Sequence, residues 1–239
     1  RQVIVARLGP APVPGEACLQ LDVGNSSAKW RLVSDGVVSA RGSYSSDDHN
    51  AREALLDCCS SLEQIWVSSV AGPAAEAELS KLLQQRWGVA PWFARSQAQT
   101  RDLVNSYRDP SRMGVDRWLA MLGARRLNPG RCCVVDSGSA TTIDLVAASG
   151  EHEGGYIFPG AALMERALLL DTDRVRFAED VGYGLAPGSS TAEAVRNGIA
   201  LAQVGAVSRV LQACGTDQPA LVFSGGGGEA LMGLLEGDQ

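Results

Sequence analysis

Apolar and polar residues alternate along the first stretch of the chain that has a clear pattern. Leu19 to Val23 alternates in this way, and Ala28 to Val33 does so again after a turn that contains glycine. Because successive side chains of a strand point to opposite faces, the two runs predict a β-hairpin. A third strand is predicted from Val37 to Tyr44, after the Asp35-Gly36 turn.

Strands and helices then alternate. The pattern predicts a helix from about Asp47 to Leu62, a strand in QIWVSSV, a helix from Pro73 to Trp87 with proline in its first turn, and a short strand in VAPWFA. Such alternation indicates an α/β fold in which helices cover both faces of a sheet.

The second half of the chain repeats the opening pattern. After the helical run RDPSRMGVDRWLAMLGARRL, Asn128-Pro129-Gly130 breaks the chain, and CCVVDSGSATTIDLVAA follows. This segment again has an apolar strand, an aspartate (Asp136), a glycine turn and a returning strand. Two such hairpins predict two related lobes that face each other.

The remaining elements complete the predicted domain organisation. Helices are predicted from about Ala161 to Leu170 and from about Thr191 to Cys214, and ALVFSGGGGEALMGLL reads as a strand, a glycine turn and a helix. We expect an unstructured lead-in over residues 1–17, an N-terminal lobe over 18–127, and a C-terminal lobe over 128–239 that is truncated at its end.

Composition and charge narrow the classes of partner. The 239 residues carry a net charge of -6 with a pI near 5.0, which argues against nucleic acid as the main partner. No run of 18 apolar residues occurs, so no membrane span is expected. The six cysteines include no CxxC spacing, which favours reduced thiols in a cytoplasmic protein.

The two repeated aspartates are the first candidate site residues. Asp22 and Asp136 each stand where an apolar strand meets a glycine turn, whose backbone N–H groups can hold phosphate oxygens beside a carboxylate that holds a cation. For one hairpin alone, a simple Asx-turn is the more common explanation, but the repetition favours phosphate. Lys29 then supplies a positive point charge.

The motifs DVGNSSAK, GVDR, DSGSATT, GGYIFPG and FSGGG, in this order, resemble those of the acetate and sugar kinase/Hsp70/actin superfamily, and closely those of its type III pantothenate kinase family. The resemblance runs from about Leu19 to Glu229, and GVDR is its most specific motif. It implies an α/β fold of two actin-like (ribonuclease H-like) lobes with a cleft between them. Ser139 and Ser224 stand where the family usually has threonine, which keeps the hydroxyl.

The resemblance also implies roles for individual residues. Asp116 matches the catalytic base, and Asp136 matches the ligand of a monovalent cation. Positions that match pantothenate contacts are Tyr107, Gly114, Val115, Asp116, Arg117 and Thr191. Positions that match ATP and phosphate contacts are Asp22, Val23, Gly24, Asn25, Ser26, Ser27, Ala28, Lys29, Gly138, Ser139, Gly225 and Gly226, with Asp22 also placed near Mg²⁺, directly or through water.

The residues of RMGVDRW fit these roles without requiring them. Gly114 allows close approach, Asp116 can accept an alcohol proton, and Arg117 can pair with a carboxylate. A helix start with Asp116 in its first turn and Arg117 on a solvated face explains the same letters. His49 and His152 stand in polar, loop-like surroundings and indicate neither a metal site nor a Ser/His relay.

The resemblance implies transfer of the γ-phosphoryl group of ATP to pantothenate, the first step towards coenzyme A, by a homodimer that uses Mg²⁺ and either K⁺ or NH₄⁺. Two alternatives remain open at this point. One is a kinase for another small hydroxylated substrate, and the other is a non-catalytic accessory protein for transcription.

Overall fold

A computed structural model describes residues 3–5, 17–24, 27–45, 48–171, 175–177 and 179–237. The chain divides into two compact units. The N-terminal unit comprises Gly9–Gln97 and Asp109–Leu119, and the C-terminal unit comprises Arg1–Leu8, Ala98–Arg108 and Ala120–Gln239.

The elements run along the chain as β1 (Val3–Val5), β2 (Cys18–Val23), β3 (Ser27–Ser34), β4 (Val37–Ser45), α1 (His49–Leu56), β5 (Gln64–Ser69), α2 (Pro73–Trp87), β6 (Trp92–Phe93), β7 (Gln99–Thr100), β8 (Leu103–Val104), α3 (Val115–Leu127), β9 (Cys132–Ser137), β10 (Ala140–Val146), β11 (His152–Pro159), α4 (Ala161–Asp171), α5 (Thr191–Ala213), β12 (Ala220–Ser224) and α6 (Gly228–Gly237). A single 3₁₀ turn, Pro110–Arg112, precedes α3. None of the helices in the described ranges is long and apolar enough to cross a membrane.

The N-terminal unit contains a five-stranded sheet in the order β4-β3-β2-β5-β6. Strands β2, β3 and β4 are antiparallel, whereas β5 and β6 run parallel to β2. Leu19 and Leu21 of β2 project to one face and join a buried cluster with Leu55 of α1 and Leu79 and Leu83 of α2. Because side chains alternate along a strand, Asp22 lies on the face opposite to this cluster.

The C-terminal unit repeats the same strand directions, except that its edge strand β1 comes from the start of the chain, whereas β6 follows β5. Its sheet has the order β11-β10-β9-β12-β1, with β9, β10 and β11 antiparallel and β12 and β1 parallel to β9. Cys133 and Val135 of β9 pack with residues of α5 and α6 in a second buried cluster. Asp136 therefore projects to the opposite face, as Asp22 does in the other sheet. The internal repeat read from the sequence is confirmed at the level of strand order.

The predicted strands and helices are present, but the helix predicted from about Asp47 to Leu62 is shorter and ends at Leu56. The helix Pro73 to Trp87 has the predicted ends, because Pro73 occupies its first turn and Gly88 ends it with a left-handed φ of 72°. The lead-in over residues 1–17 is not wholly unstructured, since Val3–Val5 form β1 on the edge of the C-terminal sheet beside β12. Residues 120–127 of α3 group with the C-terminal unit.

Candidate active site

The first hairpin places a carboxylate and an ammonium group side by side. Asp22 pairs in register with Lys29 across the antiparallel β2–β3 ladder, so both side chains project to the same face, and both are exposed. The amide N–H of Gly24 donates to the carbonyl of Ser27 at 3.0 Å and closes the turn. The end of this hairpin therefore offers one anionic and one cationic group to solvent.

The other residues predicted for this turn differ in what they present. Ser27 is exposed, but the side chain of Ala28 is buried, so only the backbone of Ala28 faces the turn. The carbonyl of Val23 accepts from the amide of Val70 at 3.0 Å. The predicted contacts Asn25 and Ser26 lie outside the described residues.

The second hairpin repeats the arrangement with hydroxyl neighbours. Asp136 is in register with Thr142 on β10 and with Ser224 on β12, and its Oδ1 accepts a hydrogen bond from the Ser224 hydroxyl. Gly138 and Ser139 form the exposed turn, in which the Gly138 amide donates to the Ala140 carbonyl at 2.9 Å. This strand end is rich in oxygen donors, the ligands that hard cations prefer.

The motif GGYIFPG supports this second turn. The amide of Gly160 donates to the Ser139 carbonyl at 2.9 Å, and a Cβ at position 160 would collide with the backbone of Gly138 and Ser139. The final glycine of the motif is therefore required by close packing against the turn, rather than by its own φ angle.

A third glycine turn packs against the end of β9. Gly225 has a φ of 81°, and a Cβ there would collide with the Ser137 backbone. The Gly227 amide donates to the Ser137 carbonyl at 2.9 Å, and Gly228 begins α6. Gly225 and Gly226 are exposed, so they leave backbone accessible at a helix start, where N–H groups favour anions.

The start of α3 presents the carboxylate of Asp116. The Trp118 amide donates to the Gly114 carbonyl at 3.1 Å and begins the helix, and Asp116 is exposed in its first turn. Asp116 Oδ1 accepts from the Arg117 amide at 2.8 Å. A Cβ at position 114 would lie 2.5 Å from the same Oδ1, so Gly114 provides the space in which this carboxylate lies.

Arg117 and Val115, which flank Asp116, are both buried. Arg117 is only 4% exposed, so the alternative that placed it on a solvated face is wrong. A buried guanidinium needs hydrogen-bonding or anionic partners, because isolation from water is costly for a charge. Val115 is 7% exposed, which leaves mainly its backbone for any ligand contact.

Two further predicted substrate positions belong to the C-terminal unit. Tyr107 is half-buried, and its amide donates to Asn105 Oδ1 at 2.9 Å in an Asx-turn. Thr191 is exposed at the first position of α5, next to the N-cap Ser190, whose hydroxyl accepts from the Glu193 amide.

The expectation of loop-like surroundings is wrong for His152. The imidazole is buried in β11, with Nε2 2.9 Å from Asp144 Oδ1 and Nδ1 2.8 Å from Ser106 Oγ. Polar neighbours in the sequence suggested a loop, but His152 pairs with Val146 across the β10–β11 ladder. Recognition of GEHEGGYIF as the returning strand of a hairpin would have indicated burial. The side chain of His49 lies outside the described residues.

The two repeated sheets define the class of protein. The structure resembles that of a 2-dehydro-3-deoxygalactonokinase from Sinorhizobium meliloti, with a TM-score of 0.59 and 17% identity over 92% of this chain and 88% of that one. It also resembles a protein described as a Baf family transcriptional activator from Campylobacter jejuni, with a TM-score of 0.55 and 21% identity over 89% of this chain and 85% of that one. At these identities the likeness shows the fold alone, an α/β fold of two actin-like units.

Sequence comparison identifies the family within this class. The family model for type III pantothenate kinase matches residues 18–213. The chain is 35% identical over 228 residues to a type III pantothenate kinase of Halorhodospira halophila, covering 90% of this chain and 89% of the relative. It is 40% identical over 199 residues to one from Ectopseudomonas mendocina, covering 81% and 80%. The chain belongs to the type III pantothenate kinase family.

Proposed function

We propose that this chain is an ATP-dependent pantothenate kinase, which transfers the γ-phosphoryl group to the primary hydroxyl of pantothenate in the first step of coenzyme A biosynthesis. The observation that carries the proposal is the exposed carboxylate of Asp116, held at the start of α3 beside Gly114 within the GVDR motif. A scaffold protein would not need a glycine at position 114 to leave room for the Asp116 carboxylate.

Asp116 acts as the general base. Its carboxylate accepts the proton of the substrate hydroxyl as that oxygen attacks the phosphorus, which is the role that phosphoryl transfer leaves to a protein side chain. The hydrogen bond from the Arg117 amide to Oδ1 fixes the carboxylate, while its other oxygen remains an acceptor. Tyr107, Thr191 and Arg117 are assigned to pantothenate in this proposal.

The glycine turns after β2, β9 and β12 hold the nucleotide phosphates. Backbone N–H groups cradle phosphate oxygens in such turns, and Lys29 adds a positive charge. Gly138, Ser139, Gly225 and Gly226 are all exposed at their turns, as phosphate contacts require.

The donor groups at the two hairpins fit the proposed cations. No group of three or more His, Cys, Asp or Glu side chains in the described ranges could hold a metal, which suits Mg²⁺ bound mainly through phosphates and water with Asp22 beside it. Mg²⁺ would supply charge neutralisation of the triphosphate. The carboxylate of Asp136, with the hydroxyl of Ser224 next to it, offers oxygen ligands for K⁺ or NH₄⁺.

Assembly and location are further parts of the proposal. Large apolar side chains are exposed on β11, α4 and α5, among them Tyr156, Ile157, Leu170 and Leu201 at 58%, 61%, 71% and 59%. Exposed apolar surface of this kind marks an interface, and we assign it to a homodimer. All six cysteines are free thiols, as expected of a reducing compartment such as the cytoplasm.

The proposal is tested by ADP release across a panel of small alcohols, first in K⁺ or NH₄⁺ and then in Na⁺. Pantothenate should be the preferred acceptor, and turnover should fall in Na⁺, because an oxygen cage sized for K⁺ coordinates the smaller ion poorly. Asp136→Asn should lose the dependence on K⁺ together with most of the activity. ATP turnover that does not respond to pantothenate would contradict the proposed substrate, and equal rates in the three salts would contradict the cation site.

A further inference from the structure

The imidazole of His152 is the centre of a chain of three polar side chains that the proposed reaction does not use. The side chains of His152 and Asp144 are 0% and 1% exposed, whereas Ser106 is exposed. An ionised Asp144 only accepts hydrogen bonds, so the proton on the imidazole belongs on Nε2, 2.9 Å from Asp144 Oδ1. The other nitrogen, Nδ1, then accepts from the Ser106 hydroxyl at 2.8 Å.

Ser106 precedes Tyr107 in the segment Ala98–Arg108, which several other contacts bind to the rest of the C-terminal unit. The amide of Val104 donates to the Gly150 carbonyl at 3.0 Å. The buried Arg125 binds Asp102 Oδ2 through Nε at 3.1 Å and Nη2 at 2.5 Å, and these hydrogen bonds lower the pKa of Asp102. The same guanidinium also donates to backbone carbonyls of residues 129, 130, 147 and 148.

These contacts fix the segment up to residue 104, and the Ser106 hydroxyl extends the attachment to the neighbour of Tyr107. The Tyr107 ring lies with its centroid 6.4 Å from that of His152, at an interplanar angle of 34°. The hydrogen bond from the Tyr107 amide N–H to Asn105 Oδ1 further restricts the backbone at Tyr107.

We propose that His152, oriented by Asp144, is a positioning residue that holds Tyr107 in place for substrate through the hydroxyl of Ser106. The assignment rests on the proposed function, in which Tyr107 contacts pantothenate. Such residues lie behind a substrate-binding residue and orient it. Asp144 fixes the imidazole tautomer, the imidazole accepts a hydrogen bond from the Ser106 hydroxyl, and this bond holds the backbone next to Tyr107. A hydrolase relay is disfavoured, because the amide after Ser106 is engaged by Asn105 and does not serve an oxyanion.

The arrangement also allows the two imidazole nitrogens to be tested separately. In His152→Gln the amide nitrogen can replace Nε2 and donate to Asp144, but no group replaces Nδ1. Ser106→Ala removes the hydroxyl at an exposed position and leaves the buried pair intact, and Ser106→Thr keeps a hydroxyl. Ser149→Ala is the matched control, because Ser149 is exposed in the same unit and, among the described residues, its hydroxyl bonds only Glu151 Oε2, at 3.4 Å.

Steady-state kinetics should separate substrate positioning from general stability. We expect Ser106→Ala and His152→Gln to raise the KM for pantothenate about tenfold, the scale of one lost hydrogen bond, with kcat and the KM for ATP changed less than about twofold. Ser106→Thr should recover most of the affinity, and Ser149→Ala should match the wild type. An unchanged KM for pantothenate in Ser106→Ala would overturn the inference.

Amide hydrogen exchange gives a second reading that needs no turnover. In the ligand-free protein, Ser106→Ala and His152→Gln should each speed exchange across residues 104–108, while exchange in α2 stays unchanged. Unchanged exchange across 104–108 would overturn the inference even in an active enzyme. A wild-type protein that does not phosphorylate pantothenate would instead contradict the proposed function, and exchange would still decide whether this chain of side chains holds the segment.

Discussion

At the scale of single residues, the position of Asp116 makes the central test of mechanism. Asp116→Asn removes the proton acceptor but keeps the size of the side chain, so kcat should fall by about 10²-fold or more. The melting temperature should barely change, because the residue is exposed. Measurement of kcat and melting temperature on this one variant decides between a base and a helix-start aspartate.

Asp109→Asn is the control for that experiment. Asp109 is also an exposed aspartate that begins a helical turn, and it accepts from the Ser111 amide at 3.1 Å and the Ser111 hydroxyl at 2.6 Å, which lowers its pKa. Because asparagine caps a helical turn about as well as aspartate, this change should barely move the melting temperature and should leave kcat unchanged. If Asp116→Asn behaves in the same way, the catalytic assignment is wrong.

Gly114 makes a separate prediction about the same carboxylate. Gly114→Ala places a methyl group 2.5 Å from the present position of Asp116 Oδ1, so the carboxylate must move and kcat should fall, by about tenfold for a 1.4 kcal/mol loss of transition-state stabilisation. Gly72→Ala is the matched change, since Gly72 also precedes a helix but has no atom within 4 Å of its added Cβ. Equal kcat values for the two variants would show that Gly114 does not serve Asp116.

At the scale of elements, the sequence predicts those strands and helices that residue alternation and end-capping residues determine locally. Strands β2 and β3 alternate in the sequence, and α2 carries a proline at its start and a glycine after its end, so all three are predictable. Strand β1 is not, because its three residues gain strand structure only from β12, more than 200 positions away. For His152, the returning strand of a hairpin is a local signal of burial, whereas its hydrogen bond with Ser106 joins positions 46 apart and has no local signal.

The contact between GGYIFPG and the second phosphate turn gives a prediction at this scale. Gly160→Ala would force a methyl group into the backbone of Gly138 and Ser139, so we expect about 1–3 kcal/mol of destabilisation and weaker ATP binding. Gly182→Ala, which has no atom within 4 Å of the added Cβ, is the control. Thermal unfolding with and without ATP measures both effects, and equal melting curves for the two variants would contradict the packing argument.

At the scale of the whole molecule, large apolar side chains are exposed in both units, on β4 and β6 as well as on β11, α4 and α5. Each sheet buries one face with its own helices, so neither unit needs Tyr156, Ile157 or Leu170 for its core. Removing apolar surface from water contributes about 25 cal/mol per Å². Binding of a partner to these side chains would gain this free energy. A second copy of the chain is the partner that we propose for this surface.

Sedimentation velocity at micromolar concentration should therefore give a mass of twice 25.1 kDa. Ile157→Glu should shift the protein to the monomer, because it puts a charge at an apolar position that is 61% exposed on β11. Val37→Glu, at a position 67% exposed on β4 in the other unit, should leave the dimer intact and controls for the added charge.

If the wild type is a monomer, the exposed side chains serve another partner; if both variants dissociate the dimer, β11 is not the specific interface. Dissociation by Ile157→Glu alone, with the circular dichroism spectrum unchanged, would place the subunit contact on β11, in the strand that leads into Gly160 and the second phosphate turn.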